Sequence, residues 1–310
     1  MAMTNTQKRA QERDLLRDAH MTVRQQVLQD KSTFYNEDGE DISDKYDIIV
    51  KTSDDQVRAL QGNSLMELHT IENGKFILAF FESARLMQDR FESLSPQDIA
   101  RLMFIGTYVA WETNRLQSDN GKKILRKKDV KEMVGMSPNR FNELYKRYKA
   151  EGILIEGESG ELFLNPTVVY RGNVKDLGSR VSDLSHTRIF RKTVRDLYEQ
   201  FKGRKLGQLA LVYSVIPFLN FDSNIVCYNP EEKATDLIKP ISVTVLADIL
   251  GYKDASKLKT ALNGVKIDGE PMFTFAENPR NRREKRTIVN PRIIFAGNGE
   301  GLEVVKAIFN

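Results

Sequence analysis

The chain has 310 residues, of which 40% are hydrophobic and 29% charged, as is ordinary for globular proteins. It has no apolar run of membrane-spanning length and no apolar signal core near its N-terminus, so nothing in it indicates a membrane-spanning or exported protein. A single cysteine, Cys227, excludes an intrachain disulfide and a cysteine-based zinc site. We therefore expect a cytoplasmic protein.

The net charge of +4 is unevenly distributed. Residues 1–100 hold 12 Lys and Arg against 18 Asp and Glu, whereas the rest of the chain holds 35 against 25. An acidic front end joined to a basic remainder indicates a polyanionic partner for the remainder.

The first 92 residues are predicted to precede the main domains. Apolar residues at helical spacing predict a helix over residues 5–28, followed by an acidic loop, so that residues 1–43 form an extension. Residues 44–92 are predicted to be an α/β lead-in to the first domain. It would contain a strand at 46–51, extended structure over 64–81 around the turn Asn73-Gly74, and a helix near 76–90.

An internal repeat follows. The first copy contains LMFIGTYVAW (102–111), KKDVKEMVG (127–135) and NPTVVYRGN (165–173). The second contains LALVYSVIPF (209–218), SVTVLADILG (242–251) and NPRIIFAGN (290–298). Matched landmarks are 107, 116 and 125 residues apart, a drift that loop insertions between equivalent elements produce.

Each copy has a pattern of helices followed by two strands around a polar loop. This order is typical of a winged helix-turn-helix domain. We therefore predict an α+β, mainly helical fold with two tandem winged-helix domains, at 93–173 and 188–298. Residues 174–187 would link them, and residues 299–310 would form a C-terminal tail.

The strongest motif is the second helix of the first copy. Gly135 permits a tight turn, and Ser137 and Pro138 are suited to a helix start. One face is apolar and should be buried: Phe141, Leu144, Tyr145 and Tyr148. The other face should contact DNA, because amide and guanidinium groups read base edges. Its predicted contacts, together with Ser137, are Asn139, Arg140, Asn142, Lys146 and Arg147.

A basic run precedes this helix. Between residues 114 and 150 there are 11 Lys and Arg against 4 Asp and Glu. Five of these cations are predicted to contact phosphates: Lys122, Lys123, Arg126, Lys127 and Lys128. A solvated basic face is the competing interpretation.

The second copy distributes its candidate contacts over a helix and a wing. The helix offers Ser256, Lys257, Lys259, Thr260 and Asn263. The wing tip offers five cations that could clamp the backbone or enter the minor groove: Arg280, Arg282, Arg283, Lys285 and Arg286. The first wing carries three carboxylates instead and is predicted to point away from DNA. Trp111 and Phe218 are predicted to be core residues.

No catalytic constellation is present in the sequence. The three histidines are scattered, without the pairing that a metal-dependent nuclease or a nickase needs, and no P-loop motif exists. We expect a protein that is not an enzyme and needs neither a metal nor another cofactor.

A resemblance to a known family runs from residue 76 to residue 172. It is carried by LSPQDIARLMFIGTYV (94–109), GMSPNRFNELYKRYKAEGIL (135–154) and LFLNPTVVYRG (162–172). This part resembles the RepL-like replication proteins of Firmicute plasmids and phages. The duplicated layout is similar to that of theta-type plasmid initiators. The resemblance implies binding to a replication origin, bending of the duplex and recruitment of host replication proteins, with no chemistry of its own.

Two other roles remain open at this stage. A phage or plasmid transcriptional regulator would use the same binding residues at a promoter and would contact transcription proteins. A winged-helix protein-interaction module is disfavoured by the basic residues. Double-stranded DNA is the predicted partner in the first two cases, and a homodimer is an open alternative to a monomer.

Overall fold

We describe a computed structural model of the chain, which covers Asp41 and residues 64–278, 281–297 and 299–309. Some of these are described by their backbone alone: residues 88, 204, 278, 281–284 and 300. The chain divides into two compact units, Met1–Ala59 and Leu60–Asn310, and the helices and strands below belong to the second. The predicted helix at 5–28, the strand at 46–51 and Arg280 lie outside the described residues.

The fold is α+β, with helices surrounding small antiparallel sheets. The helices are α1 (residues 64–72), α2 (Met87–Arg90), α3 (Pro96–Gly106), α4 (Lys127–Val134), α5 (Pro138–Ala150), α6 (Arg191–Phe201), α7 (Leu206–Ser214), α8 (Val243–Ile249), α9 (Ala255–Asn263) and α10 (Gly299–Phe309). Short 3₁₀ helices lie at Val174–Val181, Gly203–Lys205 and Ile216–Phe218. No described helix is both long and apolar enough to cross a bilayer.

The strands of the described residues form one four-stranded sheet and three hairpins. They are β1 (Phe76–Phe81), β2 (Leu154–Glu156), β3 (Leu162–Leu164), β4 (Val169–Tyr170), β5 (Ser185–Phe190), β6 (Lys266–Ile267), β7 (Glu270–Pro271), β8 (Phe273–Asn278), β9 (Asn281–Val289) and β10 (Ile294–Phe295). The four-stranded sheet has the order β10-β5-β1-β4, and β2/β3, β6/β7 and β8/β9 are the hairpins. All of the described pairings are antiparallel.

The lead-in to the first domain differs from its prediction. Residues 64–72 are helical, so the predicted extended structure was wrong there, whereas Phe76–Phe81 is a strand within the stretch predicted to be extended. The helix predicted near 76–90 is limited to Met87–Arg90. Gly74 has φ +76°, which ends the helix instead of turning a hairpin. The run FILAFF is apolar throughout and is buried on both faces at the sheet centre, where periodicity cannot distinguish a strand from a helix.

The internal repeat is visible in the sheet. The first repeat runs from β1 to β4 (76–170) and the second from β5 to β10 (185–295). In the order β10-β5-β1-β4, the first strand of each repeat lies at the centre of the sheet and the last strand of each repeat lies at an edge. The central pair, β1 and β5, is antiparallel along its whole length, from Phe76 opposite Phe190 to Phe81 opposite Ser185. Equivalent strands that pair in this way are related by a local two-fold axis.

Two asparagines occupy equivalent positions in the repeats. Asn114 (φ 54°) donates from Nδ2 to the carbonyls of Leu164 and Val169. Asn224 (φ 53°), 110 residues later, donates in the same way to Val289 and Ile294. The bridges Val109–Leu116 and Leu219–Val226 are also 110 residues apart. The spacing of 107 assigned from the sequence was therefore wrong by three residues, which is close to one helical turn and preserves the apolar pattern.

We expect Asn224→Ala to lower the free energy of unfolding by about 2–4 kcal/mol. Two buried carbonyls lose their hydrogen-bond donor, and alanine is less favourable than asparagine in the left-handed backbone conformation at this position. Asn224→Gly, which keeps the backbone freedom, should recover only part of this loss. Chemical denaturation measures both values. Asn263→Ala, at an exposed asparagine, is the control and should change stability by about 0.5 kcal/mol or less. Equal stabilities of all three variants would contradict this role of Asn224.

One hydrophobic core runs through both repeats. Helix α3 of the first repeat packs against α7 of the second, and the ring of Phe104 stacks on that of Tyr198 at 3.8 Å. Residues 174–187, predicted as a linker, run through a 3₁₀ helix into β5, and Leu177 and Val181 pack against the outer face of β1. The predicted tail forms α10, in which Leu302 and Val305 are buried.

Candidate nucleic-acid interface

Helices α4 and α5 are joined by a tight turn at Gly135. Gly135 has φ +66° and ends α4, and Ser137 and Pro138 begin α5 as predicted. The Ser137 hydroxyl makes no capping hydrogen bond. The apolar face is buried as predicted, with Phe141, Leu144, Tyr145 and Tyr148 all at most 6% exposed. The rotation of α5 about its axis is thereby fixed.

The opposite face of α5 is open to solvent. Its side chains include four of the predicted DNA contacts: Asn139, Arg140, Asn142 and Lys146. Arg147 is placed differently, because its Nη2 lies 3.0 Å from the buried Asp98 carboxylate of α3. Arg147 therefore fastens α5 to the core and is not part of the open face.

The second repeat presents α9 in the same manner. Gly251 (φ +71°) makes the turn before it, and Asp254 caps it by accepting from the Lys257 backbone N–H at 2.8 Å. Leu258 and Leu262 are buried. The five predicted contacts of this helix are all exposed: Ser256, Lys257, Lys259, Thr260 and Asn263.

The open faces of α5 and α9 correspond residue by residue. When the buried residues Phe141 and Leu258 are superposed in sequence, Arg140 corresponds to Lys257 and Asn142 to Lys259. Each helix therefore offers a cation directly before its first buried residue, with polar side chains on both sides. Two such faces therefore lie within one compact unit.

The predicted phosphate contacts surround the start of α4. All five are exposed: Lys122, Lys123, Arg126, Lys127 and Lys128. Lys123 Nζ lies 2.5 Å from Asp129 Oδ1, and Lys127 Nζ lies 4.5 Å from the ring centroid of Tyr145. The hydrogen bonds from Lys123 and from the Arg126 backbone hold the pKa of Asp129 below its ordinary value. Asp129 therefore stays ionised at neutral pH and offsets one of the five positive charges.

The first hairpin (β2/β3) and the second hairpin (β8/β9), which correspond to the predicted wings, differ in charge, as predicted. In the first, Glu156 Oε2 lies 3.0 Å from Lys149 Nζ at the end of α5. In the second, β9 continues through the residues that were predicted to form the loop tip, so Arg282, Arg283, Lys285 and Arg286 belong to a strand. That part of the prediction was wrong, because pairs such as Glu277 opposite Lys285 extend the ladder.

Two surface features were missed by the sequence. Trp111 was predicted to be a core residue but is 57% exposed, with Nε1 donating to Glu112, whereas Phe218 is buried as predicted. Asp119 is held by two arginines of α6, Arg191 and Arg195. This contact joins positions more than 70 residues apart, and no local pattern announces it.

Among residues 64–309, wherever described, no group of His, Cys, Asp and Glu side chains could hold a metal ion. Cys227 is buried, which raises the pKa of its thiol to about 11. Comparison with known proteins finds no matching family model, no similar curated protein and no similar solved structure.

Proposed function

We propose that this chain binds double-stranded DNA sequence-specifically through two winged-helix units. The observation that carries the proposal is the pair of open, polar and cationic faces on α5 and α9, each following a turn at a left-handed glycine and each followed by a hairpin. We call α5 and α9 the reading helices. Exposed amide and guanidinium groups on such helices suit adenine and guanine edges in the major groove.

The local two-fold axis adds a property to this proposal. Because equivalent strands pair antiparallel at the sheet centre, the two repeats are related by a rotation of about half a turn. One chain would then meet a site made of two half-sites in inverted orientation. The half-sites would differ in sequence, since Arg140 and Asn142 of one helix correspond to Lys257 and Lys259 of the other.

The biological role that we propose is initiation of replication on a plasmid or phage. It rests on the resemblance of residues 76–172 to RepL-like proteins. Selecting bound fragments from the replicon that encodes the chain, followed by footprinting, tests this role. A tandem array of sites whose deletion stops replication would support an initiator. A single site overlapping a promoter, with replication unaffected, would support a transcriptional regulator instead.

The second hairpin is proposed to contact the DNA backbone. Replacing Arg282, Arg283 and Arg286 by Ala should weaken binding to all duplexes and reduce the slope of log K against log salt by about 1 for each lost phosphate contact. Titrations at several salt concentrations measure this slope. An unchanged slope would remove the hairpin from the interface. Replacing Lys233 and Lys239, which lie outside both hairpins, is the charge-loss control and should leave the slope unchanged.

A further inference from the structure

A cluster of charges joins the first repeat to the second outside the reading helices. Arg191 and Arg195 project from α6 toward the end of α3, where both donate to the Thr107 carbonyl at 2.7 Å. Between them they hold the carboxylate of Asp119, with Arg191 Nη2 at 2.5 Å and Arg195 Nη2 at 3.0 Å from Oδ1. We call these three side chains the Asp119 clamp.

The clamp is rigid on its arginine side. Arg191 is only 7% exposed, and burial lowers the pKa of its guanidinium to about 10, so it remains charged at neutral pH. Arg195 lies with its guanidinium carbon 3.8 Å from the ring centroid of Tyr108 and donates from Nε to the Thr107 hydroxyl. Hydrogen bonding to Arg195 keeps the pKa of Asp119 below its ordinary value. The carboxylate is therefore held in its ionised form.

Asp119 belongs to a short loop that carries two of the predicted phosphate contacts. This basic loop, residues 118–123, closes through Ser118 N–H donating to the Lys123 carbonyl at 2.8 Å. The Asn120 side-chain oxygen accepts from the Ser118 hydroxyl and from the Lys122 backbone N–H. Its far end is joined to α4 by the ion pair of Lys123 with Asp129.

The basic loop is thus fastened at both ends. One end is held to α6 of the second repeat by Asp119, and the other to α4 of the first repeat by Lys123. A second contact holds α4 to the same helix, since the Tyr198 hydroxyl donates to the Val134 carbonyl at 2.9 Å. Release of Asp119 would detach the loop from α6, while the backbone hydrogen bonds within the loop and the rest of α4 stay in place.

We propose that Asp119 is a positioning residue for DNA binding: by clamping the basic loop to α6 it orders Lys122 beside the start of α4, where a phosphate of the duplex would lie. This inference rests on the proposed function. It has an unusual consequence, because removing a negative charge near a polyanion ordinarily strengthens binding. Here the loss of order is expected to outweigh the gain in charge.

Two substitutions of opposite charge test the clamp. Asp119→Asn raises the net charge by one and Arg195→Gln lowers it by one. Both should weaken specific duplex binding by about fivefold to tenfold and reduce the salt slope by about 1. Their combination should be no weaker than either alone, because both break the same contact. Asp196→Asn, at an exposed position of α6, is the matched control and should leave binding equal to or tighter than wild type.

Substitution of Lys122 provides a second test of the clamp. Lys122→Gln should lower the salt slope by about 1 in the wild type and have no additional effect in the Asp119→Asn background. If Asp119→Asn fails to fold by circular dichroism, Arg195→Gln, which removes the Arg195–Asp119 contact and keeps the carboxylate, is measured in its place. Wild-type or tighter binding by a folded clamp variant would overturn the inference. Failure of the wild type to bind any duplex would overturn the proposed function instead.

Discussion

Inserting five base pairs between the two half-sites should reduce binding to that of a duplex with a single half-site. The reading helices belong to one compact unit, joined by the β1/β5 pairing and by the packing of α3 on α7. Five base pairs rotate one half-site by about half a turn, so only one helix can then reach its groove. Since specific sites are bound about 10³–10⁷ times more tightly than non-specific DNA, the loss of one of two half-sites should be at least about 30-fold.

An insertion of ten base pairs distinguishes a rigid unit from two repeats that move independently. It restores the rotational phase but moves the half-sites apart by about 34 Å. A rigid unit cannot follow this displacement, so we expect binding to stay weak. Titrations of the three duplexes at one salt concentration give the result. Recovery of binding with ten base pairs would show that the repeats move independently and would contradict the shared core as the determinant of spacing.

Arg140→Ala and Asn142→Ala are each expected to cost about 1–3 kcal/mol on the selected site and to relax its sequence preference. Both side chains lie on the open face of α5, whose rotation is fixed by four buried residues on its other side. Binding to random duplexes should change far less, because base contacts contribute little there.

The control for this pair is Arg85→Ala. Arg85 is exposed and pairs with Glu82 outside the reading helices, so its loss removes a cation without touching the open faces. Its effect on specific binding should be small. Competition titrations with the selected site and with scrambled duplexes measure the specificity ratio. Equal losses on both duplexes for Arg140→Ala and Asn142→Ala would contradict a base-reading role.

The elements of each unit followed from local patterns. The buried face of α5 was predicted correctly because Phe141, Leu144, Tyr145 and Tyr148 repeat at helical spacing, and glycines mark the turns before α5 and α9. The buried and exposed faces of α9 followed in the same way. Such patterns depend only on neighbours in sequence.

The errors arose where distant residues decide the structure. Strand β1 is a wholly apolar run, and β5 (SHTRIF) has few apolar residues, so their pairing and the two-fold axis left no readable signal. The prediction that Arg147 faces DNA missed its contact with Asp98, because Asp98 lies on α3, 49 residues away in sequence. The clamp around Asp119 was missed for the same reason.

Sequence-specific duplex binding is tested most directly by measuring equilibrium binding of the purified 310-residue chain to its selected duplex and to a scrambled one across a range of salt concentrations. We predict tight binding to the selected duplex, a much weaker affinity for the scrambled one, and a steep fall of both with rising salt. Equal affinities for the two duplexes, or affinities that salt leaves unchanged, would contradict a sequence-reading surface on α5 and α9.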